Sequence, residues 1–537
     1  MEMTESLWGH EFDIPEQDIK KLIKKVENPK IVVKTVEQLL KSKKTTLEER
    51  LKLITENVKK ILGKFIEQTL VIRSKEQLVE YFDTAIRNGI IALDTETNNS
   101  LQPITCKLMG PCLYTPGLKA AYVPINHRDP KTNELLSNQL TEEDIAEQLK
   151  RLTDTKIIMH NGKFDYKVFK CTTGVELSVY WDTLLGAKIL NENEEGNLKT
   201  QYITHIDKSI EKYSIEHLFE GVEYALVAPE IFALYAATDS FMTYKLYEWQ
   251  KEQFSIPGNE RIYNVFKDVE MQVMPATAEM ELTGLEIDKD YTQLLANKYH
   301  KLLDEVDKKI EYELAKYADT IEKWRQTPEA NFHPPKKNGK GEAKSMSEML
   351  ETPINLGSPS QLAILLYDIL QVDPPDPKKP RGTGEDELKA IKLPLCKVLL
   401  ERRGIVKLVD AFIDSLPNEI LEKTGRVHAN FNQYGAKTGR YSCSGPNLQQ
   451  IPSRNRDIRL MFKAADGNVL VGSDYSQQEP RLLAHMAKDE ALIGAYREGK
   501  DLYAIIATGV FKNTYWDNME HHEDGSPNPE GKKRRKK

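Results

Sequence analysis

Three short segments carry acids at spacings that suit divalent-ion chemistry. In IIALDTET, Asp94 and Glu96 stand two residues apart near the end of an apolar run, and alternation along a strand turns both carboxylates to one face. In MHNGKFDYKVF, Asp165 follows a second such run and opens a helical pattern. In LYAATDSFMTY, Asp239 lies four residues after Tyr235 on a helical stretch, so acid and phenol share a face. Four carboxylates and a phenol brought together suit phosphodiester hydrolysis by two divalent ions, one activating water and one stabilising the leaving oxygen. Hard ions such as Mg2+ prefer such all-oxygen sites. A DxE pair alone is weak evidence, because acids at strand ends are commonly solvated; the joint pattern is much stronger.

A second set lies near the other end of the chain. KTGRYSCSGPNLQQIPSRNRDIRLMF places Arg440, Arg454, Arg456 and Arg459 among amides and hydroxyls. Such a mixture can hold phosphates through its cations and sample base edges with Asn447, Gln449 and Gln450. Downstream, VGSDYSQQEPRLLAHMAKDE reads as a strand-like run that delivers one carboxylate, Asp474, to the start of a helix. Pro480 is acceptable in the first turn of that helix, where its missing N–H has no intrahelical partner. Arg481 and His485 can serve structural roles, with a hydrogen-bonded core position at least as plausible for His485 as a catalytic one.

The order DTET, NGKFD, YAATD resembles the proofreading 3′-5′ exonuclease domain of DNA polymerases, the DEDDy type, over about residues 90–247. SIEHLFEGVEYALVAPEIFALYAATD looks like the approach to its third motif in bacteriophage members. TGRYS, PNLQQIP, IRLMF and the Asp474 stretch resemble the palm of family A DNA polymerases, the bacterial DNA polymerase I family and its phage relatives. MPATAEMELTGLEID, NLGSPSQLAILLYDIL and ERRGIVKLVDAFIDSL look like that family's thumb helices. The resemblance covers about residues 70–537 in the family's order.

The exonuclease resemblance implies that Asp94, Glu96, Asp165 and Asp239 bind metal and that Tyr235 orients the attacking water. The polymerase resemblance implies that Asp474 binds both ions of a second site, with the Tyr475 carbonyl as a further ligand. Gln477 and Glu479 would contact the incoming nucleotide, Glu479 lying under the sugar. Arg440, Asn447, Gln449, Gln450 and Arg454 would contact DNA. The implied chemistry is attack of a primer 3′-hydroxyl on the α-phosphate of a dNTP, with Mg2+ or Mn2+, two ions per site, as cofactor. The pattern departs from the commonest family form at Gln478 and Pro480, which leaves Asp474 and Glu479 in place.

Two further elements of the family, motif B of the fingers and the second palm carboxylate of motif C, have no match here. Arg534 or Arg535 can stand as the first arginine of motif B. HHED, at His521–Asp524, runs into the turn-forming GSPNPEG and reads as a solvated loop. KKRRKK can contact phosphates, though such a run is usually a solvated, mobile end. The expectation is the amino-terminal portion of a phage-like DNA polymerase that degrades DNA alone and needs a second polypeptide or segment for synthesis. A free-standing exonuclease on DNA or RNA and a non-catalytic DNA-binding subunit remain as alternatives.

The elements that must position these residues follow from hydrophobic period. Residues 1–70 read as a helical extension. Residues 71–257 alternate strand and helix, the signature of an α/β domain, and the resemblance makes it ribonuclease H-like. Residues 258–425 read as long amphipathic helices, the thumb and its connections. They are interrupted by the polar loops NFHPPKKNGKGEAKSMSE and VDPPDPKKPRGTGEDE. Residues 426–510 follow as an incomplete α+β palm with motif A, and 511–537 as the start of the fingers with a basic tail. At 537 residues, 40% hydrophobic and 29% charged, the chain has the make-up of a multidomain globular protein. No apolar run approaches a membrane span, and the amino end lacks a signal-peptide core, so a cytoplasmic location in a bacterial host cell is expected. Five scattered cysteines suggest neither a zinc site nor a disulfide framework. The net charge of −7 leaves any attraction to DNA to local basic patches.

Overall fold

The computed structural model describes residues 45–208, 219, 221–334, 342–453 and 455–535. The first 44 residues of the amino-terminal extension, most of SIEHLFEG, the PKKNGKG stretch, Arg454 and the last two lysines lie outside the described residues. The rest forms two compact units, divided between Lys463 and Ala464.

The first unit opens with helix α1 (Leu47–Leu62), whose start is fixed by a capping box between Thr46 and Glu49. There follow β1 (Thr69–Val71), α2 (Lys75–Asn88), β2 (Ile90–Thr97), β3 (Leu108–Tyr114), β4 (Ala120–Tyr122), α3 (Glu142–Leu149), β5 (Lys156–Met159), α4 (Gly162–Thr173), β6 (Val179–Asp182), α5 (Thr183–Leu190), α6 (Leu198–His205) and α7 (Pro229–Phe254). The six strands form one mixed sheet in the order β1-β4-β3-β2-β5-β6. β3 runs antiparallel to β2 and β4, while β5 is parallel to β2 and β6. A strand buried on both faces reads as continuous apolar sequence, which is why IIAL precedes the acids of β2. Ile91 and Leu93 pack towards α2, α3 and α4 with Phe82, Ile145 and Phe169. Cys112 and Ala120 instead join the cluster of α1 and α7, with Val58 and Phe232. The sheet is thus sandwiched by helices, and α7, with Pro229 at its first turn, crosses behind β2 and β3.

The helical region beyond α7 is more broken than its sequence pattern predicts. The helix from Glu260 passes through a π-helical turn, Phe266–Glu270, before continuing as α8 (Met271–Thr283). After β7 (Leu285–Ile287), α9 (Lys289–Ala315) stops short of a separate helix, Ala318–Arg325. α10 (Pro394–Leu408) likewise ends in a π turn at Val409–Ile413. Such turns admit one extra residue per turn without breaking the apolar stripe, so periodicity alone does not reveal them. Val306, Leu365 and Leu395 centre one cluster here. After β8 (Ile420–Leu421), the GRVHANFNQYG stretch forms strands as expected: β9 (Arg426–Val427) and β10 (Asn430–Asn432), the last paired with β11 (Ser442–Ser444). β12 (Phe462–Lys463) completes a four-stranded sheet in the order β12-β7-β9-β8.

The second unit contains α11 (Gln478–Ala487), α12 (Glu490–Arg497), α13 (Leu502–Phe511) and α14 (Pro529–Arg535). Here the sequence reading needs three corrections. The run before Asp474 is not a strand: Val469 and Val471 are 80% and 87% exposed, and an apolar run with no neighbouring strand has no hydrogen-bond ladder to join. His485 is exposed on α11, so of the two readings left open for it the core position is not realised. The basic tail is helical rather than a free end as far as Arg535. Arg534 donates to the Asn518 side chain and the Asp517 carbonyl, and Arg535 pairs with Asp501 at 2.8 Å. Local acceptors thus outcompete repulsion within the run. HHED lies in an exposed turn closed by a bridge between His521 and Pro527.

Candidate metal centre

β2 and β3 build the floor of the site. Asp94 and Glu96 alternate with Thr95, so the two acids face α7 and Thr95 faces α4. Thr95 uses that position to hold the third acid: its backbone N–H and its hydroxyl both donate to Asp165 Oδ1, at 2.9 and 2.5 Å. Asp165 comes from the first turn of α4, and the turn before it is set by Asp182. That buried carboxylate accepts from the N–H groups of Asn161, Gly162, Leu184 and Leu185. Gly162 is required in the turn, because a Cβ there would lie 2.7 Å from the Met159 side chain. Asn161 adopts the left-handed conformation that lets the chain reverse from β5 into α4.

α7 supplies Tyr235 and Asp239, one helical turn apart. The Tyr235 ring packs against Phe219 and Phe232 at centroid distances of 5.5 and 6.0 Å. A residue absent from the sequence reading completes this end. Lys199, from α6, places its ammonium 3.3 Å from Asp239 Oδ2 and 4.3 Å from the centroid of the Tyr235 ring. A second such residue is Cys112, the register partner of Asp94 across β2 and β3. Opposed residues of an antiparallel pair share a face, so Asp94, Glu96 and Cys112 each bring a donor atom to within 4.8 Å of the others.

The electrostatics reflect this crowding. Burial, then repulsion from Asp165, Glu96 and Asp239, holds the Asp94 carboxyl well above the ordinary carboxylate range. Burial and Asp239 push Glu96 up to about 8. Burial raises Asp165 to about 7 against the opposing pull of the Thr95 hydrogen bonds. The Lys199 charge draws Asp94 and Glu96 down. Burial also raises the Tyr235 phenol and the Cys112 thiol well above their usual values, so both keep their protons. Acids that repel one another across a shared space are what a cation relieves, and the oxygen donors fit hard divalent ions.

The residues singled out downstream are placed differently. Arg440, Asn447, Gln449 and Gln450 are exposed, the last two on a 3-10 turn, Leu448–Gln450. In the second unit Asp474, Tyr475 and Glu479 are exposed. Gln477 is half-buried in a left-handed conformation just before α11, and its amide donates to Asp501 at 3.3 Å. Pro480 falls in the first turn of α11, where a proline is tolerated. Arg481 stacks on Tyr496 and donates to the Ser476 carbonyl, a structural use.

Comparison with known proteins gives two family matches along the chain. Residues 70–252 match the family model described as 3′-5′ exonuclease, and residues 325–523 match that of DNA polymerase family A. DNA polymerase I of Treponema pallidum is 28% identical over 476 residues, 81% of this chain and 43% of that protein. The Pseudomonas aeruginosa DNA polymerase I is 30% identical over 439 residues, 79% of this chain and 43% of that protein. The chain thus spans less than half the length of these relatives. Among solved structures, the POL domain of Pol1 from M. smegmatis, in complex with DNA primer-template and dNTP, superimposes with a TM-score of 0.63. The match has 20% identity and covers 87% of this chain and 70% of that one. The chain is homologous to DNA polymerase I over most of its length, joining a 3′-5′ exonuclease domain to family A DNA polymerase sequence.

Proposed function

We propose that the chain removes nucleotides from DNA 3′ ends at the centre formed by Asp94, Glu96, Asp165, Asp239 and Tyr235, and that it serves template-dependent DNA synthesis as part of a phage-type family A polymerase. The observation that carries this reading is that β2 brings Asp94 and Glu96 together on one face while Thr95 between them holds Asp165 by two hydrogen bonds. Asp94, Glu96, Asp165 and Asp239 are the residues to hold two Mg2+ or Mn2+ ions. When bound, such ions make water nucleophilic and neutralise charge on the leaving oxygen. The protein's own part is to keep the donors aimed. Thr95 fixes Asp165, and the Asp94–Glu96 alternation presents two carboxylates to one face. Tyr235 retains the proton on its Oη and orients water through it.

For synthesis, we assign Asp474 and the Tyr475 carbonyl to metal binding and Gln477 and Glu479 to the incoming dNTP. Arg440, Asn447, Gln449, Gln450 and Arg454 are assigned to primer-template DNA. Asp474 is the palm carboxylate we assign within these 537 residues, and we propose that motifs B and C are supplied for synthesis by a further segment or second polypeptide. The domain limits we adopt are 71–257 for the exonuclease, 258–425 for the thumb and 426–510 for the partial palm. Among the described residues no helix is long and apolar enough to cross a membrane; the site of action we propose is the host cytoplasm. A labelled primer-template incubated with Mg2+ and dNTPs tests the reading. The expected result is shortening of the primer without extension; extension by the 537 residues alone contradicts the half-site assignment.

A further inference from the structure

α6 is an eight-residue helix whose start is fixed by Asn197, the side chain of which accepts from the Thr200 N–H at 3.2 Å. Its Leu198 and Tyr202 pack with Met242 and Leu246 of α7. Two anchored helices therefore set where the Lys199 stem can go, and it leads to the end of the site that holds Asp239 and Tyr235. The ammonium is 3.3 Å from the carboxylate and 4.3 Å from the ring centroid, with side-chain exposures of 21% for Lys199 and 15% for Asp239. A partly desolvated ammonium over an aromatic face is attracted by the ring quadrupole, so Lys199 restrains the phenol and the acid together.

Resting on the exonuclease reading, we propose that Lys199 is a positioning residue of that centre, a resident cation that holds Asp239 and Tyr235 in place and shares the Asp239 carboxylate with an arriving divalent ion. Four ionised carboxylates with Lys199 make a set that two divalent ions and one phosphodiester bring to neutrality. The lysine thus serves two opposed ends. It keeps the acids and phenol ordered, and its charge weakens the attraction of Asp239 for metal.

That opposition gives a signature a structural role would not produce. In the full chain, Lys199→Ala should bind Mn2+ several-fold more tightly, read from the electron paramagnetic resonance signal of free Mn2+, because a like charge has been removed beside a ligand. The same variant should lower kcat on a labelled single-stranded oligonucleotide by about 10- to 100-fold, the range for residues that orient metal ligands, while KM stays within about twofold. Lys199→Met, which keeps a stem over the ring, guards against a packing effect and should behave like the alanine variant; Lys199→Arg should restore most of kcat. Unchanged kcat, a raised KM alone, or unchanged Mn2+ affinity overturns the proposal. A wild-type chain that degrades no DNA counts against the exonuclease reading instead, and the Mn2+ comparison then decides the lysine's role alone.

Discussion

Thr95 grips Asp165 with two hydrogen bonds to one carboxylate oxygen, at 2.9 Å from its backbone N–H and 2.5 Å from its hydroxyl. The residue between the two acids of DTET is thus the support for the third, and the strand aims three acids at once. Thr95→Val removes only the hydroxyl contact. It should lower exonuclease kcat by about 10- to 100-fold, as loss of an outer-shell partner does, with a stability cost of about 1–2 kcal/mol. Single-turnover degradation beside a denaturation curve separates the two effects.

The raised carboxyls make stability depend on pH when no ion is bound. Glu96 and Asp165 titrate at about 8 and about 7 in the folded chain, against roughly 4 when unfolded. Between these limits the folded state holds more protons than the unfolded one, so stability falls as pH rises. With a chelator present, Tm should drop from about pH 5 to about pH 8, and Mg2+ should restore it most at the alkaline end. A Tm that rises with pH in chelator contradicts the electrostatic account.

Glu281 on α8 is buried between two lysines of α4, Lys163 at 2.5 Å and Lys167, and also accepts from the Phe431 N–H at 2.6 Å. This cluster ties the helix that carries Asp165 to α8 and β10. Glu281→Ala strands two ammonium groups in a poorly solvated place. It should cost about 3–5 kcal/mol, seen as a lower denaturant midpoint, and should weaken exonuclease activity through α4.

Cysteine reactivity offers a check on the sheet register. Cys112 is fully buried opposite Asp94, whereas Cys171 is partly exposed. A thiol shielded by burial and surrounded by acids is a poor nucleophile. Native alkylation followed by peptide mapping should label Cys171 first and Cys112 last, and prompt labelling of Cys112 contradicts the placement.

Much of the candidate site was legible in DTET, NGKFD and YAATD, because alternation in a strand and a four-residue spacing in a helix place side chains without knowledge of the fold. Cys112 and Lys199 were not legible. One depends on which residue of β3 faces Asp94, the other on how α6 docks against α7, and neither register nor docking has a local signature. The converse error lies at Asp474: VLVGS has the apolar character of a strand, but a strand exists only where another pairs with it. The basic tail misled similarly, since Asp501 and Asp517, which engage its arginines, lie well before it in sequence.

The most direct test of the central claim is degradation of a 3′-labelled single-stranded oligonucleotide with Mg2+, comparing the chain with Asp94→Ala. The account predicts steady release of nucleotides by the former and a loss of more than roughly 100-fold in the latter, beyond the range of outer-shell substitutions, with the fold retained. Equal rates for the two proteins would show that hydrolysis does not pass through the centre on β2.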